Sequence, residues 1–337
     1  MNLSMRGCVA AASNRKQISP LGVMLATGAS LVVADRAGAQ LIAPPAGESW
    51  TSTFSDQFNN GASDLAPFTY DLGNNGGWGN GESEDYTSSS QNVSVSGGNL
   101  NIDAIASGSP GNQTYTSGRI QTSGSFSQTY GLFEFRAAFP AGQGLWPAVW
   151  MLPANAPSSS QPKYGTWPTS GEVDIFESVG QNTGLVQGSL HSGANPGSEV
   201  TQYEKFSESG EEPAGFTTNA FHTYDLSWGL VPDSAVSGGQ EGEFNWYVDG
   251  TLYETWEGNW YVPPGAAPTA PFDQPFYLLL NLAVGGNFGG TPDLADGSYS
   301  MQVDYLDAFQ ATVPEPATGA VMGLFLGGCV LHRPKRR

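Results

Sequence analysis

The sequence predicts an all-β fold built from two packed antiparallel sheets. Glycine and proline are abundant, at 45 and 23 residues, and charged residues make up only 13%, a composition suited to many short strands joined by turns. Short apolar runs recur between clusters of Gly, Ser, Asn and Pro. Several alternate with period two, as in Phe133-Glu134-Phe135-Arg136-Ala137, whereas no long amphipathic helix is visible. Strands that are apolar on one side are buried most economically by setting two sheets face to face.

The two ends read as addresses rather than as parts of this fold. Residues 1–39 carry basic residues, the apolar run Leu21 to Ala34, and Ala37-Gly38-Ala39 as a small-residue cleavage site; this resembles a secretory signal peptide. Asp35 and Arg36 are untypical just before such a site, so cleavage after Ala34 is an alternative. Residues 313–337 begin Val313-Pro314-Glu315-Pro316, continue through an apolar stretch from Ala317 to Leu331, and close on Arg333-Pro334-Lys335-Arg336-Arg337. They resemble the Pro-Glu-Pro sorting tail of bacterial exosortase substrates, which implies export, a transient or retained membrane segment, and exosortase-type sorting machinery as a partner. At about 1.5 Å per residue the stretch reaches about 22 Å, short of a hydrocarbon core of about 30 Å.

Residues 40–312 form the body, expected to be a single domain and a monomer. Candidate strands, in order, are Val93 to Val95, Leu100 to Ala104, Gly131 to Phe139, Ala148 to Leu152, Glu172 to Ser178, Thr223 to Trp228, Phe244 to Val248, Phe276 to Val284 and Met301 to Phe309. Asp249-Gly250, after the run Phe244 to Val248 and before Leu252-Tyr253, is a hairpin turn. Ser158 to Ser170, Val231 to Gly242 and Trp260 to Pro275 read as exposed loops. Cys8 and Cys329 lie in the terminal segments, so the body holds no thiol or disulfide and its stability must come from core burial.

Charge narrows the partners. Eight of the 12 basic residues fall in the two ends, which leaves Arg119, Arg136, Lys163 and Lys205 in the body against 29 acids, a charge of −25. Such a surface repels phosphate, which excludes nucleic acid and favours a neutral polymer.

Gly171-Glu172-Val173-Asp174-Ile175-Phe176-Glu177-Ser178 carries the chemistry. On a helix, at about 100° per residue, the three acids would scatter round the axis. On a strand, Glu172 and Asp174 share a face while Val173 and Ile175 point into a core. Glu177 then has the wrong parity, and burying it unpaired would be costly. A one-residue bulge at Ile175-Phe176 returns it to the acidic face. The outer acids would then stand about 13 Å apart at the backbone, at about 3.3 Å per residue, near enough for two leaning Glu side chains to reach the carboxyl separation of about 5 Å used in retaining glycoside cleavage. Crowding must raise at least one pKa, which is how one residue type can supply both a proton donor and a nucleophile. A solvated acidic edge strand and a calcium-binding face remain alternatives on these residues alone.

The segment resembles the Glu-x-Asp-x-x-Glu motif of glycoside hydrolase family 16 in its bulged, laminarinase-like form. Gly77-Trp78-Gly79-Asn80, Ser117-Gly118-Arg119-Ile120, the run Tyr130 to Arg136, Leu145-Trp146-Pro147-Ala148-Val149-Trp150-Met151-Leu152-Pro153 and the run Leu280 to Gly286 extend the likeness, in family order, from about Phe54 to Gln310. The resemblance implies a β-jelly-roll sandwich with a concave substrate cleft and a retaining endo-β-1,3-glucanase. It implies Glu172 as nucleophile, Glu177 as acid/base, and Asp174 as the residue that hydrogen-bonds the nucleophile and helps set its ionisation. Asn80, Arg119, Trp146, Trp150, Trp167 and His191 are the implied sugar-binding residues, His191 on the leaving-group side. For Arg119 a salt bridge to one of the acids is an equal reading, and His222 reads as structural. No cofactor is required. A structural calcium is admitted at Asp304, although Gln57 stands where the family has an acid. Mixed-linkage β-1,3-1,4-glucan, a marine galactan, or glucan binding without cleavage are the competing functions.

Overall fold

The computed structural model describes residues 42–109, 111–157, 159–235 and 238–313. The strands are β1 (Ser49–Asp56), β2 (Thr69–Tyr70), β3 (Glu84–Tyr86), β4 (Val93–Ser96), β5 (Asn99–Ser107), β6 (Thr114–Ser117), β7 (Arg119–Gln121), β8 (Gly131–Ala138), β9 (Leu145–Pro153), β10 (Glu172–Val179), β11 (Asn182–Gly193), β12 (Glu199–Lys205), β13 (His222–Pro232), β14 (Gln240–Val248), β15 (Thr251–Glu257), β16 (Phe276–Val284) and β17 (Gly297–Thr312). They form two sheets, as the period-two pattern predicts. The ten-stranded sheet runs β15-β14-β13-β8-β17-β5-β6-β3, with β1 added on β17 and β4 on β5; the seven-stranded sheet runs β12-β11-β10-β9-β16-β7-β2. This is the all-β jelly-roll sandwich. Both sheets draw strands from the whole of the described chain, and β1 pairs with β17 from Ser49↔Thr312 to Asp56↔Leu306.

Aromatic rings fill the space between the sheets. Phe133 and Phe135 of β8, Tyr224 and Trp228 of β13, Phe244 and Trp246 of β14, and Phe276 of β16 are all buried. Trp228 stacks on Phe244 at 5.3 Å between ring centroids, and Phe139 stacks on Phe176 of β10 at 3.9 Å. Each fully buried side chain of this kind contributes roughly 1.5–3 kcal/mol, which suits a body without disulfides.

Every expected strand falls within an observed one, except that Phe139 lies just beyond β8. The Asp249-Gly250 turn joins β14 to β15 with positive φ at both residues, 49° and 75°, as a two-residue hairpin requires. Two expected loops need correction. Much of Val231 to Gly242 is strand, because Val231 pairs with Glu241 and Pro232 with Gln240. Trp260 to Pro275 is irregular but only partly exposed: Pro264, Gly265 and Ala267 are exposed, while Trp260 and Phe272 pack edge to face at 5.1 Å in the core and Ala270 is buried with them. The expected signal peptide and sorting tail lie outside the described residues. Among the described residues no helix is long and apolar enough to cross a membrane.

Candidate active site

The cleft lies on the open face of the seven-stranded sheet, and β10 crosses its floor. Against β9, Val173 pairs with Met151 and Asp174 with Trp150, but Phe176 pairs with Val149 and Glu177 with Ala148, so one residue of β10 is unmatched at Ile175. The register against β11 shifts at the same place, between Asp174↔Ser189 and Glu177↔Gln187. This is the bulge that the parity of the three acids demands. Phe176 holds it from behind, fully buried against Phe139, Phe135 and Tyr224. The bulge keeps that ring in the core while returning Glu177 to the cleft beside Glu172 and Asp174.

Each carboxyl has neighbours that suit a different task. Glu177 Oε1 accepts from Trp146 Nε1 at 3.0 Å and Oε2 from Ser189 Oγ at 3.4 Å. His191 Nε2 stands 3.0 Å from Asp174 Oδ2 and 3.8 Å from Glu172 Oε1, its Nδ1 held 3.1 Å from Thr201 Oγ1. Burial raises the Glu172 pKa to about 8, helped by Asp174 and Glu177; the same burial raises Asp174 and Glu177 to about 8, with Asp174 adding to the shift of Glu177. Three carboxyls so placed retain protons that isolated ones would release, so at neutral pH the group can hold an acid and a carboxylate side by side. The ligand atoms of Glu172, Asp174 and His191 lie within 4.8 Å of one another, close enough for one histidine to bridge both acids.

Indoles wall the cleft, which encloses about 310 Å³ and is lined by Trp78, Trp146, Trp150 and Trp167 together with Asn80, Glu82, Arg119, Asn281 and the three acids. Trp146 and Trp150 point the same way from β9, as their spacing predicts. The cleft thus gathers eight of the nine expected catalytic and sugar-binding residues, and the ninth, His191, reaches Asp174 from β11. Arg119 takes the salt-bridge reading: its Nε donates to Asp71 Oδ2 at 2.8 Å, and its guanidinium lies 4.5 Å from the Trp78 ring and 4.9 Å from the Trp150 ring. It locks two indoles while still lining the cleft. Asn80 donates to Glu82 Oε1 at 3.2 Å.

A polar chain that sequence reasoning missed runs beneath these rings. Trp150 Nε1 donates to Asn281 Oδ1 at 2.7 Å, Asn281 Nδ2 to Tyr86 Oη at 3.1 Å, and Tyr86 Oη to Glu82 Oε2 at 3.0 Å. Asn281 had a signal: it is the one polar residue in the apolar strand Phe276–Val284, and β-sheet cores do not bury an amide without a partner. Ser189 and Tyr86 had none.

Two expected residues lie elsewhere. His222 Nδ1 sits 2.6 Å from Asp249 Oδ2 at the hairpin turn, a structural contact as expected. Asp304 is on the ten-stranded sheet, its carboxylate 3.0 Å from Arg136 Nη1, while Gln57 donates to Asp307 Oδ1 at 2.9 Å. The cleft draws nothing from this pair.

Comparison with known proteins gives the chain's family and the fold it shares. Glycosyl hydrolases family 16 matches residues 80–306. Glucan endo-1,3-beta-glucosidase A1 of Niallia circulans is 38% identical over 278 residues, 76% of this chain but 37% of that longer protein. Beta-glucanase of Rhodothermus marinus is 37% identical over 77% of this chain and 85% of its own length. The X-ray structure of the laminarinase from Rhodothermus marinus matches with a TM-score of 0.63 and 35% identity, covering 79% of this chain and 99% of that one.

Proposed function

The chain belongs to glycosyl hydrolase family 16, and on that premise we propose that it hydrolyses β-1,3-glucan internally, by double displacement with retention. The observation that carries the reading is the bulged β10, with Glu172, Asp174 and Glu177 on the floor of an indole-walled cleft. Protonated Glu177 gives its proton to the glycosidic oxygen as Glu172 attacks the anomeric carbon; the bond to the leaving sugar breaks and a glycosyl ester forms on Glu172. Glu177, now a carboxylate oriented by Trp146 and Ser189, takes a proton from water. The water oxygen attacks the same carbon and Glu172 departs ionised. His191 stands beside both Asp174 and Glu172, and the charge of Asp174 raises the pKa of Glu172.

The cleft's charge supports a neutral substrate. Among the described residues lining it Arg119 is the one cation, and it is paired with Asp71, against Glu82, Glu172, Asp174 and Glu177. A sulfated galactan would meet uncompensated negative charge here, whereas glucose rings present flat C–H faces to Trp146, Trp150 and Trp167. We also propose, from the two ends, that the body is exported and sorted to the cell surface, with 40–312 as the catalytic domain.

The test is to incubate the purified protein with laminarin, lichenan, agarose and κ-carrageenan beside Glu172→Gln, and to measure reducing ends. Laminarin cleavage lost in the variant, with the β-anomer appearing first by NMR, supports substrate and mechanism together. Cleavage of lichenan alone would move the substrate to mixed-linkage glucan. Binding of laminarin without cleavage would replace the enzyme by a binding protein.

A further inference from the structure

Two aromatic rings are exposed among the described residues, Trp167 and Tyr203. Trp167 already lines the cleft. Tyr203 stands on the opposite side of the catalytic strand, on β12, the edge of the same sheet. Its pairing fixes which face it occupies. Tyr203 is opposite Ser189, and Ser189 is opposite Asp174, so one row across the sheet reads Asp174, Ser189, Tyr203. Ser189 turns its hydroxyl to Glu177, and Thr201, two residues before Tyr203, turns its hydroxyl to His191. Side chains two apart on a strand share a face, so Tyr203 is on the face that carries the acids. Two strand spacings put its backbone about 10 Å from β10, beyond a first sugar ring.

Nothing in the fold accounts for that ring. It is 51% exposed on a strand whose neighbours are Thr201, Gln202 and Glu204, and its contact is with the Lys205 ammonium, 5.9 Å from the ring centre. Lys205 is itself tied to Glu208 at 2.8 Å, which fixes the charged end beside the ring without covering its free face. An exposed aromatic face continuous with a row of catalytic acids is a surface for the flat side of a pyranose.

We propose that Tyr203 is the aglycone platform of the cleft, binding a glucosyl unit on the leaving-group side beyond the one being cut, and so setting where along the chain cleavage falls. This rests on the glucanase reading above. Its occupant is the neutral sugar ring of the substrate.

The measurement is kcat/KM for the full chain and for Tyr203→Ala and Tyr203→Phe, on laminarihexaose and on an aryl β-laminaribioside whose leaving group ends short of β12. In Tyr203→Ala the hexaose should lose about tenfold through KM and its cut should move toward one end, with the aryl glycoside affected far less; Tyr203→Phe should restore the wild-type ratio. Equal loss on both substrates, or no loss on either, would overturn the proposal. If the wild type cuts only another polysaccharide, the substrate reading falls, and the same split measured with oligomers of that polysaccharide still decides for or against Tyr203.

Discussion

Among the described residues both sheets carry crowded rows of buried carboxyls, and of two such rows, one on each sheet, only one has the makings of an active site. On the ten-stranded sheet Asp225 of β13 pairs with Glu134 of β8, and Glu134 with Asp307 of β17, a row of three acids on adjacent strands. Tyr305 donates to Glu134 Oε1 at 2.8 Å, and burial together with Glu134 pushes the pKa of Asp225 well up. By crowding and desolvation this row matches Glu172, Asp174 and Glu177. The difference is access and aim. The cleft acids open onto a walled space with Trp146, Ser189 and His191 directed at them, whereas Asp225 and Glu134 are closed over, 1% and 3% exposed. A raised pKa marks burial; a site also needs room for a substrate and donors placed for charge that develops there.

Catalysis breaks the comparison most sharply. Glu177→Gln should lower kcat on laminarin by about 10²–10⁴, the usual worth of a positioned acid/base, and Glu172→Gln by at least as much. Asp225→Asn should leave kcat within about twofold. A large loss in Asp225→Asn, at matched folded fraction, would mean that the two clusters communicate through the core.

Removing the support behind the bulge comes next. Phe176→Ala deletes a fully buried ring and should cost about 3–5 kcal/mol in stability. It should also lower kcat more than Phe135→Ala does at equal stability loss, because Phe176 sets the parity of Glu177. Urea unfolding beside kcat for the two variants separates these effects.

The clusters should behave alike in one respect, the dependence of stability on pH. Glu172, Asp174 and Glu177 in the cleft and Asp225 in the closed row have folded pKa values above the unfolded ones, so the native state keeps protons that the unfolded chain has released. Stability therefore falls as pH rises from about 4.5 toward about 8 for Glu172, and through a corresponding window for Asp225. A neutral amide does not titrate. Glu172→Gln and Asp225→Asn should each raise Tm at pH 8 by a few degrees, with the gain gone at pH 4. Only the first should abolish activity. A Tm unchanged at both pH values would refute the shared origin.

Most of the fold was legible because one-sided strands announce themselves by alternation, and the bulge was legible because three acids of conflicting parity admit few other solutions. What escaped had physical reasons too. β11 and β12 were missed because their cleft-facing positions are Gln187, Ser189, His191, Thr201 and Tyr203, and Gly184 and Gly188 dilute the apolar signal on the other side. Gly188 is required: a Cβ there would come within 2.5 Å of the Trp246 ring. Arg119 could not be decided from composition, since its partner Asp71 lies 48 positions away and becomes its neighbour only once β7 joins the sheet.

The smallest effect tests how finely the cleft acids differ from the closed row. Ser189 Oγ reaches Glu177 Oε2 at 3.4 Å, longer than the 3.0 Å bond from Trp146, and both donors favour the ionised form of Glu177. Ser189→Ala should therefore raise the pKa of Glu177 slightly. A net hydrogen bond of about 1 kcal/mol corresponds to less than one pH unit. Glu177 must begin the reaction protonated, so the alkaline limb of the kcat/KM profile should move up by about half a unit, with the maximum within a few-fold of wild type. Trp146→Phe should move the same limb further. A shift of the acidic limb instead would mean that Glu177, the partner of Ser189, must begin the reaction ionised, and that the proton donor and the nucleophile have been assigned the wrong way round.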